Sequence, residues 1–220
     1  MRKLKIQPSL LEYSEVQLLS KLGLILNNQK NFLSASGQEK ICLHLDLVMK
    51  YFAREESVLA SLSFPPIYSA LKKNLGALPV NLSVHFMGLS DDLDRVYNFL
   101  NDINIPENWS LIIYLPINFA SSWSTIFKQK SITIGAWYNL DELNSFDVSP
   151  NIKEYLLLTV QAGKSGQNKS AVADKIVRNI ARENPNCNFL LDGGWKIGSK
   201  GGENCQIVSY SSFWNSFMVI

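Results

Sequence analysis

With 220 residues, 46% of them hydrophobic and 18% charged, the chain is long enough for one domain with a sizeable core. That balance excludes an intrinsically disordered or membrane-embedded class. A net charge of +2 is too small to argue for nucleic acid or an anionic membrane surface as partner.

Short apolar or β-branched runs alternate with longer segments of helical period. Residues 4–8 read as a strand, and 13–26 as an amphipathic helix with Val16, Leu19, Leu22 and Leu26 on one side. A strand at 41–47 precedes a helix at 66–75, which begins at a proline. Strand 78–87 is followed by helix 91–100, and strand 110–115 by a weaker helix near 122–128. Strand 131–136 has only a short helix after it, at 141–146, and strand 155–160 leads into the clearest helix of the second half, 170–183. Strands at 188–191 and 206–210 and a short segment with Phe and Trp complete the pattern. Eight strand signals with helix-length connections predict parallel βαβ units and an α/β fold, a single (β/α)₈ TIM barrel over residues 1–220. A doubly wound open sheet is the structural rival.

Three cysteines (Cys42, Cys187 and Cys205) share no zinc-ligand spacing and stand in or beside apolar runs, as small core residues do. The opening Met1-Arg2-Lys3-Leu4-Lys5-Ile6 carries charge without the apolar stretch of a signal peptide. A reducing, cytoplasmic location is therefore expected.

The chain has two histidines, and their positions are informative. In Cys42-Leu43-His44-Leu45-Asp46 the polar pair is two residues apart, so on a strand both point to one side. His85 lies near the end of the next strand, and Asp192 ends the seventh, before Gly193-Gly194. All four fall at C-terminal strand ends, the rim where barrel enzymes place their active sites. One such residue alone is an ordinary strand-end cap. Two imidazoles and two carboxylates converging would suit a divalent transition ion such as zinc, iron(II), manganese or cobalt.

Several segments, in order, resemble the ribulose-phosphate 3-epimerases. Ile6-Gln7-Pro8-Ser9-Leu10-Leu11 is similar to that family's opening strand, and Leu43-His44-Leu45-Asp46 to its second. Leu62-Ser63-Phe64-Pro65-Pro66 resembles the following loop and helix start, and residues 79–87 the third strand. Residues 159–167 (Thr-Val-Gln-Ala-Gly-Lys-Ser-Gly-Gln) resemble the loop after the sixth strand, and Leu191-Asp192-Gly193-Gly194 the end of the seventh. The resemblance spans nearly the whole chain.

It implies a barrel of the ribulose-phosphate-binding type. It also implies one divalent metal ion on His44, Asp46, His85 and Asp192, with Asp46 and Asp192 as the acid/base pair on opposite faces of a ketose phosphate. The implied reaction is a carbohydrate-phosphate isomerase step of pentose phosphate metabolism, interconverting D-ribulose 5-phosphate and D-xylulose 5-phosphate through a metal-stabilised 2,3-enediolate. Substrate contacts would come from Ser9, His85, Gly163, Lys164, Ser165, Gly166, Gly193, Gly194 and Ser211, the loop glycines offering backbone N–H groups to phosphate. The expected partner is a small phosphosugar, with a homo-oligomer left open.

The chain departs from that pattern in places. Met49 and Lys50 replace an aspartate and a glycine of the second-strand loop, Ser83 an aspartate, Lys164 an aromatic, Ser165 a glycine, and Tyr210 the glycine before Ser211. Ile112-Ile113-Tyr114-Leu115 stands where the family has polar fourth-strand residues. Two alternatives accompany the first reading: an epimerase for another ketose phosphate, such as an allulose phosphate, and a non-catalytic phosphosugar-binding barrel.

Overall fold

The structure, a computed structural model, describes residues 2–3, 5–10, 15–48, 64–87, 90–127, 131–161, 167–209 and 211–217. Eight strands form one sheet: β1 (Lys5–Pro8), β2 (Ile41–Val48), β3 (Val80–Met87), β4 (Trp109–Pro116), β5 (Ile132–Tyr138), β6 (Glu154–Leu158), β7 (Asn188–Asp192) and β8 (Cys205–Ser209). They hydrogen-bond in the order β1-β8-β7-β6-β5-β4-β3-β2, every pair parallel. The ends of this sheet meet at a parallel bridge between Ser9 and His44, where the Leu10 N–H donates to the His44 carbonyl at 2.8 Å. The expected single (β/α)₈ barrel is thus the observed fold, nearly closed. Carried round the ring, the strand registers displace the closing pair by roughly eight residues, the shear of such a barrel.

Helices occupy the connections: α1 (Glu15–Asn27), α2 (Gln29–Ser36), α3 (Phe64–Leu75), α4 (Ser90–Asp102), α5 (Ile117–Ile126), α6 (Ala171–Glu183) and α7 (Ser211–Phe217). Between β5 and β6 stands a 3₁₀ turn, Leu140–Ser145, started by a capping box in which Asn139 and Glu142 satisfy each other's ends. The clearest helix, α6, begins at the Ser170 cap and buries Ala173, Val177, Ile180 and Ala181 on one stripe. Between β7 and β8 no described residue is helical; instead Lys200–Gly201 pairs antiparallel with Arg2–Lys3.

Two sequence expectations are corrected, and one helix is new. In α1 the buried residues are Leu18, Leu22 and Ile25, while Val16 is 77% and Leu19 41% exposed, so the core face is turned from the expected one. The helix α2 was not anticipated. The fourth-strand helix begins directly at Pro116, ahead of residue 122, because proline's fixed φ leads from strand into helix without a linker.

Alternation along each strand sorts its side chains. On β2, Leu43, Leu45 and Leu47 pack outward in the main core with residues such as Leu71 of α3. Their neighbours His44 and Asp46 therefore face the barrel interior. That interior is divided. Ile112, Tyr114, Trp137, Leu156, Leu158, Leu190 and Val208, from β4 to β8, pack with Met87 as a separate apolar cluster. The first three strands contribute Gln7, Ser9, His44, Ser83 and His85, all buried and polar. An apolar wall thus faces a polar one, and the candidate site lies on the polar side.

Candidate metal centre

Strand register builds the cluster. Pairing of β2 with β3 sets Asp46 beside His85 and His44 beside Ser83. Asp192 ends β7, with its carboxylate accepting from the Gly193 N–H at 2.7 Å. One ligand atom from each of His44, Asp46, His85 and Asp192 lies within 4.8 Å of the other three, so the four could hold one metal ion. The structure thus brings together all four residues singled out in the sequence.

Within the cluster one carboxylate oxygen serves two rings. Asp46 Oδ1 lies 3.3 Å from His44 Nε2 and 3.2 Å from His85 Nδ1. Its Oδ2 is 3.5 Å from the Ser9 hydroxyl, so the expected site serine touches Asp46. Ser9 is itself fixed by its carbonyl, which accepts from Trp214 Nε1 at 2.9 Å. Both histidines are buried, whereas Asp46 keeps 16% of its side-chain surface exposed, enough to meet a small molecule.

The two carboxyls are driven apart electrostatically. Burial opposes charge on Asp46, but the His44 and His85 rings overrule it and hold this carboxyl far below its ordinary range. Asp192 is raised, first by burial and then by repulsion from Asp46; the two imidazoles and the Gly193 N–H offset only part of this. Burial also disfavours the His44 imidazolium, yet Asp46, aided by Asp192, lifts its pKa above the usual value.

The donor set fits a divalent ion. Two nitrogens and two carboxylates, without thiolate, match a borderline transition metal. A further sign is His85 Nε2, buried without a hydrogen-bond partner among the described residues. Its Nδ1 sits against Asp46, which leaves Nε2 as an unsatisfied buried nitrogen beside the cluster.

Beside the cluster, the turn after β7 is held from below. The Thr159 hydroxyl reaches the carbonyls of Asp192 (2.9 Å) and Gly193, and accepts from Trp195 Nε1 at 3.1 Å. Gly193 and Gly194 have φ of +98° and +72°, and a Cβ on Gly194 would strike the Lys169 backbone. Both glycines are thus required by conformation and by contact. Lys169 Nζ sits 3.6 Å from the centre of the Trp195 ring and 2.8 Å from Asp174 Oδ1, tying the two loops together.

The expected substrate contacts Gly163, Lys164, Ser165 and Gly166, and the departures at Met49, Lys50 and Tyr210, lie outside the described residues. Ser211 opens α7. Sequence reasoning missed Gln7, Thr159 and Trp195 as supports. Position was the available signal: Thr159 follows β6 directly and Trp195 follows Gly193-Gly194.

Fold and site together define a (β/α)₈ barrel with a four-residue His/Asp cluster able to hold a metal ion. No protein-family model matches the chain, and no curated protein matches it. No helix among the described residues is long and apolar enough to cross a membrane.

Proposed function

We propose that the chain is a metal-dependent sugar-phosphate isomerase of the ribulose-phosphate 3-epimerase type, interconverting D-ribulose 5-phosphate and D-xylulose 5-phosphate. One observation carries the reading: two carboxyls, from β2 and β7, meet around a pair of imidazoles with their proton affinities shifted in opposite directions. Inversion at a carbon beside a carbonyl needs such a pair, one group to remove a proton and one to return it on the other face.

Asp46, held as carboxylate, is the base for one substrate epimer. Asp192, more readily protonated, is the acid. Their roles exchange for the reverse reaction. A zinc, iron(II), manganese or cobalt ion on His44, Asp46, His85 and Asp192 would supply the positive charge that stabilises the oxyanion developing beside C3. Ser9 steadies Asp46 through Oδ2. The glycine turn after β7 lies in the usual barrel position for phosphate, with the Gly193 N–H already given to Asp192. The apolar cluster of Met87, Trp137 and Leu158 borders the site, with the Trp137 ring 5.0 Å from that of His85.

The testing experiment is C3 proton exchange of ribulose 5-phosphate in heavy water, followed by NMR with metal-supplemented protein. Exchange with appearance of xylulose 5-phosphate is expected. A loaded site with no exchange would reject this substrate, and a panel of other ketose phosphates, allulose 6-phosphate included, would then separate a different epimerase from a binding protein.

A further inference from the structure

A chain of amides, buried except for the half-buried Gln206, runs from the seam of the barrel to His44. It starts at the Ile6 carbonyl, which can only accept. Gln38 Nε2 donates to it at 3.2 Å, which fixes the orientation of that amide. The same nitrogen has a second proton and donates it to Gln206 Oε1 at 3.0 Å. Gln7 Nε2 donates to this oxygen as well, at 2.8 Å. The other end of the Gln7 amide, Oε1, is therefore an acceptor, and the Ser83 hydroxyl donates to it at 2.6 Å. With its proton spent there, Ser83 Oγ has only lone pairs for His44 Nδ1, 2.7 Å away. On the Nδ1 side the proton therefore belongs to His44, which leaves Nε2, 3.3 Å from Asp46 Oδ1, to present its lone pair once a cation takes the place of any proton shared with that carboxylate.

We propose that Ser83, Gln7, Gln206 and Gln38 form a positioning relay that selects the ligand tautomer of His44. The opposite proton order would place a hydrogen on Nε2 and aim it where a cation must sit. Two backbone carbonyls set the order: Ile6 at the far end, and Leu43, 3.3 Å from the Ser83 hydroxyl, as a second acceptor that leaves the same lone pairs for His44. Two local features put Gln38 there. Gly37 ends α2 in the left-handed conformation, with φ of +66°, and turns the chain back toward the barrel. Between β1 and β2 the described backbone pairs only at the Ser9–His44 bridge, so the Gln38 side chain satisfies a carbonyl that the seam leaves open. The relay serves His44 only if that residue is a metal ligand, so its purpose rests on the metal reading above.

The test reads the proton directly. Long-range ¹⁵N–¹H correlation of the imidazoles in metal-free protein, at a pH where the rings are neutral, gives each tautomer. With two histidines in the chain, a His85→Asn variant assigns the signals. Wild-type His44 is expected as the Nδ1–H form. Ser83→Ala and Gln7→Met should shift that population and weaken zinc binding about 10- to 100-fold, as loss of a partner behind a ligating histidine does. Gln7→Glu keeps an acceptor facing Ser83 and should keep the wild-type tautomer. A wild-type His44 in the Nε2–H form would overturn the relay. So would folded Ser83→Ala and Gln7→Met proteins with unchanged tautomer and zinc affinity. If Gln7→Met fails to fold, the wild-type and Ser83→Ala signals still decide. Wild-type protein that shows the Nδ1–H form yet binds no divalent ion would defeat the metal reading alone.

Discussion

Asp46 and Asp192 place carboxylate oxygens within 4.8 Å of each other, yet burial and their neighbours lower the pKa of one and raise that of the other. Two carboxylates this close do not both stay charged without a cation. The arrangement either takes up a proton or a metal ion, and both uses are needed by a reaction that moves a proton across a carbonyl compound.

Replacing either carboxyl by its amide separates these uses. Asp46→Asn and Asp192→Asn should each lower C3 proton exchange by about 10²- to 10⁴-fold, the range expected on losing a positioned acid or base. Their metal-free stabilities should differ in sign. Asp192→Asn removes a buried group whose ionisation is penalised and should raise the melting temperature. Asp46→Asn removes the counter-charge of two imidazoles and should lower it. Thermal unfolding beside the exchange assay checks both; melting shifts of the same sign would contradict the opposed electrostatics.

Stability should depend on pH in opposite senses with and without metal. In metal-free protein the His44 pKa is raised above 6.5, so its contribution is complete below that value and fades as pH climbs through the raised one. Asp192, raised above 3.8, likewise loses its contribution as pH rises through its folded pKa. Asp46 is depressed, and its contribution is lost only as the solution becomes strongly acid. Metal binding needs deprotonated ligands and strengthens as pH rises. The gap in melting temperature between zinc-loaded and metal-free protein should therefore widen from about pH 5.5 to pH 8.5, across the range where histidine titrates. A constant gap would mean that the ion does not displace protons from these residues.

The strands and the four clustered residues were legible because they break a local rule. A His and an Asp two apart in an otherwise apolar strand, and a lone Asp closing Phe189-Leu190-Leu191, are conspicuous. The face of α1 was not legible because leucine or isoleucine occurs on several sides of Glu15–Asn27, so periodicity alone cannot choose Leu18 over Leu19. The amide relay left no trace at all. Gln7 and Gln206 are 199 residues apart, and only barrel closure brings them into contact. Nothing local marks a glutamine as buried, and Gln38 reaches the seam only because the left-handed Gly37 turns the chain back after α2.

Gly194 should tolerate no side chain. Its φ of +72° strains any other residue, and a Cβ would collide with the Lys169 backbone. Gly194→Ala is expected to cost about 1–3 kcal/mol of stability, the range for a non-glycine residue held in that conformation. On the proposed function, which puts the substrate phosphate at this loop, it should also raise KM more than it lowers kcat. Denaturant melts and steady-state kinetics measure the two effects. Unchanged stability would show that the loop is not held against Lys169.

Thr159 offers the sharpest separation of support from chemistry. It is fully buried, and its hydroxyl links the carbonyls of Asp192 and Gly193 to the Trp195 indole. Thr159→Val preserves shape while leaving these partners without their hydroxyl, a cost of about 1–3 kcal/mol for an unsatisfied buried group. The carboxyl of Asp192 is carried on the same turn, so a small displacement should reach the acid/base pair. The expected result is a lower kcat with KM little changed, and zinc affinity reduced less than by Asp192→Asn. Thr159→Ser keeps the hydroxyl and should restore kcat. If Thr159→Ser remained as impaired as Thr159→Val, packing of the methyl group and not the hydrogen bonds would be what positions Asp192.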